Sequence, residues 1–155
     1  MMNDAVDMVQ FVAELSNRPK GKAAIVLTRD YPGQKEWAAE LATQTGAEHL
    51  PLLDIFSDHP ELAGNLSRFM VSGLFDFIHR QSKAKIAIVS GMEFIKSTWI
   101  GQPSARPEFA NCVQTWDRTS HILFVVQHDP VLASHDFGRR YNYRFIVDQK
   151  DSLKL

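Results

Sequence analysis

Ala23-Ala24-Ile25-Val26-Leu27-Thr28-Arg29-Asp30-Tyr31-Pro32-Gly33-Gln34-Lys35 is the stretch whose reading decides the fold. Its first six residues form an unbroken apolar run closed by a threonine and bounded by Gly21 and Pro32. A strand with one wet face alternates apolar and polar residues, so a run without alternation predicts a strand buried on both faces. Asp30-Tyr31-Pro32-Gly33 then supplies turn chemistry. From residue 34 to 45, Trp37, Ala38, Leu41 and Ala42 recur at helical spacing, and Gly46 marks the stop. A strand, a tight turn and a helix therefore open the domain.

The same alternation continues outward. Val6, Val9, Phe11, Val12 and Leu15 predict a short amphipathic helix before the first strand, ended by the Asn17-Arg18-Pro19-Lys20-Gly21 break. Residues 48–55 predict a second strand, and Pro51 places it at a sheet edge because proline cannot donate to a ladder. Leu62, Leu66, Phe69, Met70, Leu74, Phe77 and Ile78 predict the longest helix, over 60–81. Lys85-Ile86-Ala87-Ile88-Val89-Ser90 reads as a third strand, and the apolar segment 92–99 as a helix. After a loop at 101–107, a further helix is expected over 108–117. The clearest strand is His121-Ile122-Leu123-Phe124-Val125-Val126-Gln127, and 143–148 supplies a fifth. Strands alternating with helices imply right-handed crossovers and a sheet covered on both faces. The expectation is a three-layer α/β sandwich around a mostly parallel five-stranded sheet, in a single domain over 1–155.

Bulk composition narrows the function classes. A hydrophobic share of 45% and a charged share of 23% are those of a globular chain, and the longest apolar runs are strand-sized. The acidic N-terminus, with Asp4 and Asp7, is unlike a secretory signal, which points to the cytoplasm. A single cysteine, Cys112, leaves no disulfide framework or thiolate-rich zinc site, and it reads as small apolar filler in a helix. The net charge of −1 removes any global argument for nucleic-acid binding.

In an open α/β sheet, ligands bind beyond the carboxyl ends of the strands. The residues expected there are Thr28-Arg29-Asp30, Asp54, Ser90-Gly91 with Glu93, Gln127-His128-Asp129 and Asp148-Gln149-Lys150. The order of elements over 22–148, with a Gly-containing loop and a lysine after the first strand, resembles a RecA-like P-loop NTPase. It is reminiscent of KaiC-like domains and of the small P-loop-like components of bacterial phage-exclusion (BREX) defence systems. That resemblance implies phosphate held by backbone amides of a G-x-x-x-x-G-K-[ST] loop. With Lys35 at the lysine position, however, Arg29 and Gln34 stand where the glycines belong, and Glu36 replaces the hydroxyl residue. Ser90 and Gly91 take the places of the metal-linked aspartate and the adjacent glutamate. The resemblance thus implies a degenerate loop without ordinary ATP hydrolysis, working as a subunit or adaptor in a larger assembly.

The residues leave further candidates. Arg29, Gly33 and Lys35 either form an anion or nucleotide site at the helix N-terminus or are a solvated turn. Asp30, Ser90, Glu93, Gln127, His128 and Asp129 form a strand-end polar cluster whose carboxylates and imidazole suit a divalent metal on phosphoester substrates, although turn and cap roles compete. Arg139, Arg140, Tyr141 and Arg144 form a basic-aromatic patch suited to phosphate or single-stranded nucleic acid. His49, His59, His79, His121 and His135 lack metal-ligand spacing and read as surface or cap residues. No cofactor is implied. The segment from Met92 to Ile100 is apolar on several sides, which points to a protein partner or a second copy of the chain.

Overall fold

A computed structural model describes residues 5–29, 32–63, 71–137 and 143–152. Five parallel strands form one sheet: β1 (Ala23–Thr28), β2 (Glu48–Pro51), β3 (Ile86–Ser90), β4 (His121–Gln127) and β5 (Ile146–Asp148), in the order β2-β3-β4-β1-β5. All four pairings are parallel, with Ala23 opposite Ile122 and Val26 opposite both Val125 and Val147. The three central strands are buried along nearly their whole length.

Because side chains alternate across a strand, the apolar runs feed two cores. Ile25, Leu27, Val89, Ile122, Phe124 and Val126 face one layer. Ala24, Val26, Ile86, Ile88, Leu123 and Val125 face the other. The second layer is built by α1 (Met8–Ser16) and α2 (Gln34–Thr45), which bury Phe11, Leu15, Ala38 and Leu41. The first takes α3 (Leu52–Asp58), α5 (Val71–Gln81), α6 (Glu93–Lys96), α7 (Ala105–Thr115) and α8 (Pro130–Ser134), with α4 (Pro60–Ala63) leading toward α5. Its centre is aromatic: Phe109 meets Phe124 edge-on at 4.9 Å, and Phe75 packs 5.1 Å from Phe124. Such pairs add about 0.5–1.5 kcal/mol each beyond the area they bury.

The connection from β1 to β2 runs through α2 on one face and passes over two strands, whereas β2, β3, β4 and β5 connect across the other face. The winding direction reverses between β1 and β4. Adjacent strands whose loops leave toward opposite faces open a crevice at their carboxyl ends, and this crevice is where the polar residues meet.

Several elements differ from the sequence reading. Strand β2 stops at Pro51, and the chain turns directly into α3; β2 is an edge strand, as Pro51 requires. The expected helix over 60–81 is described only as α4 and α5, its middle lying outside the described residues. The helix expected over 108–117 begins at Ala105, so the loop expected over 101–107 is shorter. Strand β5 has only three residues. Most consequential is the segment from Met92 to Ile100. It folds as one short helix and a 3-10 turn, Ser97–Trp99, and it buries Met92, Ile95 and Trp99 in the chain's own core. The physical argument for a partner covering those residues therefore falls. Of its apolar residues only Ile100 is exposed, at 80%.

Candidate functional site

Gln34 bridges the carboxyl ends of β1 and β3, on either side of β4. This residue begins α2, where the turn carries the chain back across the end of the sheet, and its side chain is buried. Its Nε2 donates to Thr28 Oγ1 at 3.3 Å, and its Oε1 accepts from the Gly91 amide at 2.9 Å. Thr28 Oγ1 in turn donates to the Val126 carbonyl at 3.4 Å, and the Thr28 carbonyl accepts from the His128 amide at 2.8 Å. One carboxamide thus uses both its donor and its acceptor to tie β1 to the loop after β3. Gly91 is glycine for two reasons. Its φ is +68°, and a Cβ there would stand 3.3 Å from the Leu53 amide nitrogen.

Beside this bridge lies a cleft of about 260 Å³ lined by Gln34, Lys35, Leu53, Asp54, Ser90 and Gly91 among others. Lys35 forms an exposed ion pair with Asp54 across its rim. Gly33 precedes α2 with φ −91°, a conformation open to any residue, and no side chain caps the helix. Arg29 is exposed. Ser90 Oγ is paired with His49 Nε2 at 2.7 Å, a buried hydroxyl held by an edge-strand histidine. Burial pushes the His49 imidazole below its ordinary value, and the Lys35 charge adds to this against the opposing Asp54.

The second part of the strand-end cluster is a closed charge network. Glu93, at the start of α6, accepts from the Gln127 amide at 2.9 Å and pairs with Lys96 at 3.2 Å. Lys96 also reaches the Gln127 carbonyl and Asp129 Oδ2, each at 3.3 Å. Arg106 Nε donates to Asp129 Oδ2 at 2.6 Å, and Asp129 Oδ1 caps α8 by accepting from the Val131 and Leu132 amides. Burial alone would raise the Asp129 carboxyl, but the Arg106 hydrogen bond, the Leu132 amide and the Lys96 charge outweigh it and hold it below the usual carboxylate value. Two cations face two anions, and both carboxylates already carry several donors.

The structure therefore brings Ser90 together with His49, and Glu93 together with Gln127 and Asp129, but as two separate satisfied networks. His128 is exposed and contributes only its amide. Asp30 lies outside the described residues, and no cluster of three or more histidine, cysteine or acidic side chains suited to a metal occurs among the described ones. Of the basic-aromatic patch, Arg139, Arg140 and Tyr141 lie outside the described residues. Arg144 is exposed, its Nε donating to the Ile146 carbonyl at 3.4 Å. Cys112 is half-buried on α7, where burial pushes its thiol up and Glu108 adds to the rise.

Sequence reasoning placed Thr28 at the strand end but missed Gln34, Lys96 and Arg106. Lys96 was within reach, three residues after Glu93 on a helical segment, where side chains meet. Gln34 carries no such signal, since its partners are 6 and 57 positions away. His121, read as a surface or cap residue, is instead buried at the start of β4.

No protein-family model matches the chain, and no curated protein matches it. A functional reading rests on the geometry of the crevice. No helix among the described residues is long and apolar enough to cross a membrane.

Proposed function

We propose that this chain is a RecA-like domain with a degenerate P-loop that does not hydrolyse nucleotide and serves as a subunit or adaptor in a larger cytoplasmic, bacterial assembly, of the kind used in DNA handling or phage defence. The observation that carries this reading is the Gln34 bridge. A phosphate-binding loop must present free backbone amides at the carboxyl end of β1 and let an anion approach closely. Here the buried Gln34 carboxamide lies at the carboxyl end of β1, donating to Thr28 and accepting from the Gly91 amide that follows β3. Glu36, in the first turn of the same helix, adds a carboxylate where a terminal phosphate would have to enter. The internal position of β1, flanked by β4 and β5, fits the same architecture.

The rival reading, a metal-dependent phosphoester enzyme using Asp30, Glu93 and His128, is disfavoured by the charge network. Recruiting Glu93 to a metal would strip the Gln127 amide of its acceptor and the buried Lys96 of one of its two carboxylate partners. A nucleotide sensor acting through Arg29 and Lys35 requires Lys35 to leave Asp54, and the same measurement covers it.

Incubation with ATP and magnesium checks the proposal. Turnover stays below about one per minute, far under ordinary enzyme rates; faster turnover abolished by Lys35→Ala would overturn the inactive-site reading. Millimolar nucleotide leaves the unfolding temperature unchanged, whereas a tight ligand at a hundred times its dissociation constant would add about 2.7 kcal/mol. Oligomer state and co-purifying partners, measured on the intact chain, test the adaptor role.

A further inference from the structure

At the opposite, amino-terminal end of the sheet the charges are segregated. The segments that lead into the strands, 17–22, 46–47, 80–85, 116–120 and 143–145, hold eight of the chain's 17 lysines and arginines and one acidic residue, Asp117. Lys20 and Lys22 precede β1, Lys83 and Lys85 precede β3, Arg118 precedes β4 and Arg144 precedes β5. Arg80 closes the last turn of α5. Only Arg18 turns inward, 8% exposed and donating to the Gly21 carbonyl at 3.2 Å and the Arg144 carbonyl at 2.8 Å. The other seven reach solvent, Lys22 in part and the rest as exposed residues.

These cations are not neutralised from within. At the carboxyl end Lys35, Lys96 and Arg106 each meet a carboxylate. At the amino end Arg118 pairs with Asp76 at 3.0 Å, but Lys22, Arg80, Lys83, Lys85 and Arg144 carry no ion pair among the described residues. Glu48 accepts from the Lys83 and Ala84 amides at 2.7 and 3.3 Å and offsets Lys83 in part. Helices α1, α2, α5 and α7 also end here, and each C-terminus presents about half a negative charge. Those four ends with Asp117, Asp76 and Glu48 still fall short of seven cations. The excess has a shape as well. Strands β3, β4, β1 and β5 are neighbours in that order, and at about 4.8 Å per strand their entrances form a line about 14 Å long. The register sets Lys85 and Lys22 on either side of the start of β4, and both charges act on the His121 ring between them.

We propose that this amino-terminal face docks the phosphodiester backbone of a nucleic acid, with Lys22, Lys83, Lys85 and Arg144 as its phosphate contacts. A row of cations fits a polymer that repeats its charge, and at about 3.4 Å per nucleotide along a strand the line covers about four phosphates. The net charge of −1 does not oppose this, because charges beyond about 8 Å are screened at physiological salt and the local excess decides. A membrane surface or an apolar protein partner fits less well: the large exposed hydrophobic residues, Leu53, Ile100 and Val131, all fall outside these segments. Contacts to phosphate fix position and carry no sequence information, so binding is independent of base sequence. The face lies at the other end of the sheet from the Gln34 bridge, and the proposal stands whether or not the carboxyl-end crevice takes nucleotide.

Fluorescence anisotropy of the whole chain with a labelled DNA single strand, and with the same sequence as a duplex, tests it over a series of salt concentrations. Binding is expected with a Kd on the order of 1–100 μM near physiological salt, and the stronger of the two arms names the form of the backbone. For three or four contacts, log affinity falls against log salt with a slope of about −2 to −4. Lys85→Ala flattens that slope by about one, and the double variant Lys22→Ala with Lys85→Ala weakens binding about tenfold. Lys150→Ala removes the same charge beyond β5, at the other end of the sheet, and leaves slope and affinity unchanged. Should the Lys22 variant not fold, Lys83→Ala with Lys85→Ala, both at exposed positions, carries the same expectation. The proposal is overturned by an absence of binding in both arms, by a double variant that binds like the wild type, or by an equal loss in Lys150→Ala. Tighter association with phosphatidylserine vesicles than with either nucleic acid overturns it as well, and makes the face a membrane contact.

Discussion

The two ends of the parallel sheet handle buried polar groups in opposite ways. At the carboxyl end, Thr28, Gln34, Gly91, Glu93, Lys96, Arg106 and Asp129 interlock so that each is engaged by another group of the set or by a strand-end backbone group. At the amino end, Arg18 donates to the Gly21 and Arg144 carbonyls, but His121 keeps one ring nitrogen without a hydrogen-bond partner, with Lys22 and Lys85 acting on it. A satisfied network in low dielectric is rigid, whereas a half-satisfied group is sensitive to any change in its charge. The end where an α/β sheet ordinarily binds ligands is here the locked one, and the end that is ordinarily structural carries the titratable weak point.

Breaking the carboxyl-end lock should produce the largest effect. Asp129→Ala removes the acceptor of Arg106 and Lys96 and the cap of α8, leaving a buried ammonium and a partly buried guanidinium without that partner. We expect a loss of about 3–5 kcal/mol in denaturant unfolding. A loss under about 1 kcal/mol would mean that water screens the network and that the contrast between the two ends is false.

Gln34→Ala is expected to cost less, about 1–3 kcal/mol, by leaving the Gly91 amide and the Thr28 hydroxyl without a side-chain partner. The companion Gln34→Gly substitution sharpens the comparison. It clears the crevice, and weak phosphate binding gained only in that variant, read by calorimetry, would show that Gln34 is what keeps the crevice closed.

The strand order was not legible in the sequence, although the elements were. The apolar runs at 23–28, 86–90 and 121–127 announce strands buried on both faces, because only such strands do without polar alternation. Pro51 announced an edge for a reason equally local, its missing amide. What failed were inferences that needed a neighbour. Residues 52–55 look like a strand continuing from Leu50, yet they turn into a helix whose Leu52 and Phe56 reach the core over α5 and α6. The stretch from Met92 to Trp99 looked unpartnered only because the sequence does not show which layer covers it.

Acid unfolding reads both ends of the sheet. His121 at the amino end and His49 beside Ser90 at the carboxyl end both lie below the ordinary histidine value, so stability falls as pH drops from about 6.5. Asp129 lies below the ordinary carboxyl value of 3.8, so its contribution is present above that value and disappears only as pH falls further. Two separated limbs are expected in a plot of unfolding free energy against pH. His121→Gln should reduce the upper limb to the His49 share and leave the lower one in place; a single limb near pH 4 would remove the amino-end weak point.

Lys35→Ala should have the smallest effect, under about 1 kcal/mol, because its pair with Asp54 is roughly half exposed on both sides and is screened by solvent. A larger loss would mean that the rim of the cleft belongs to the locked network.

By itself the sequence determined the layers of this protein: apolar strands, helices with one apolar stripe and turn residues between them, all encoded within a few positions of one another. It also determined that the segment from Arg29 to Glu36 does not meet the G-x-x-x-x-G-K-[ST] pattern. Only the tertiary structure decided what fills either end of the sheet. Gln34 meets Thr28 and Gly91, Asp129 meets Arg106, and His121 meets the Arg18 carbonyl, across 6, 57, 23 and 103 positions of chain. Hydrogen bonds act over about 3 Å, and which distant groups come within that reach is fixed by the order in which the strands are laid side by side.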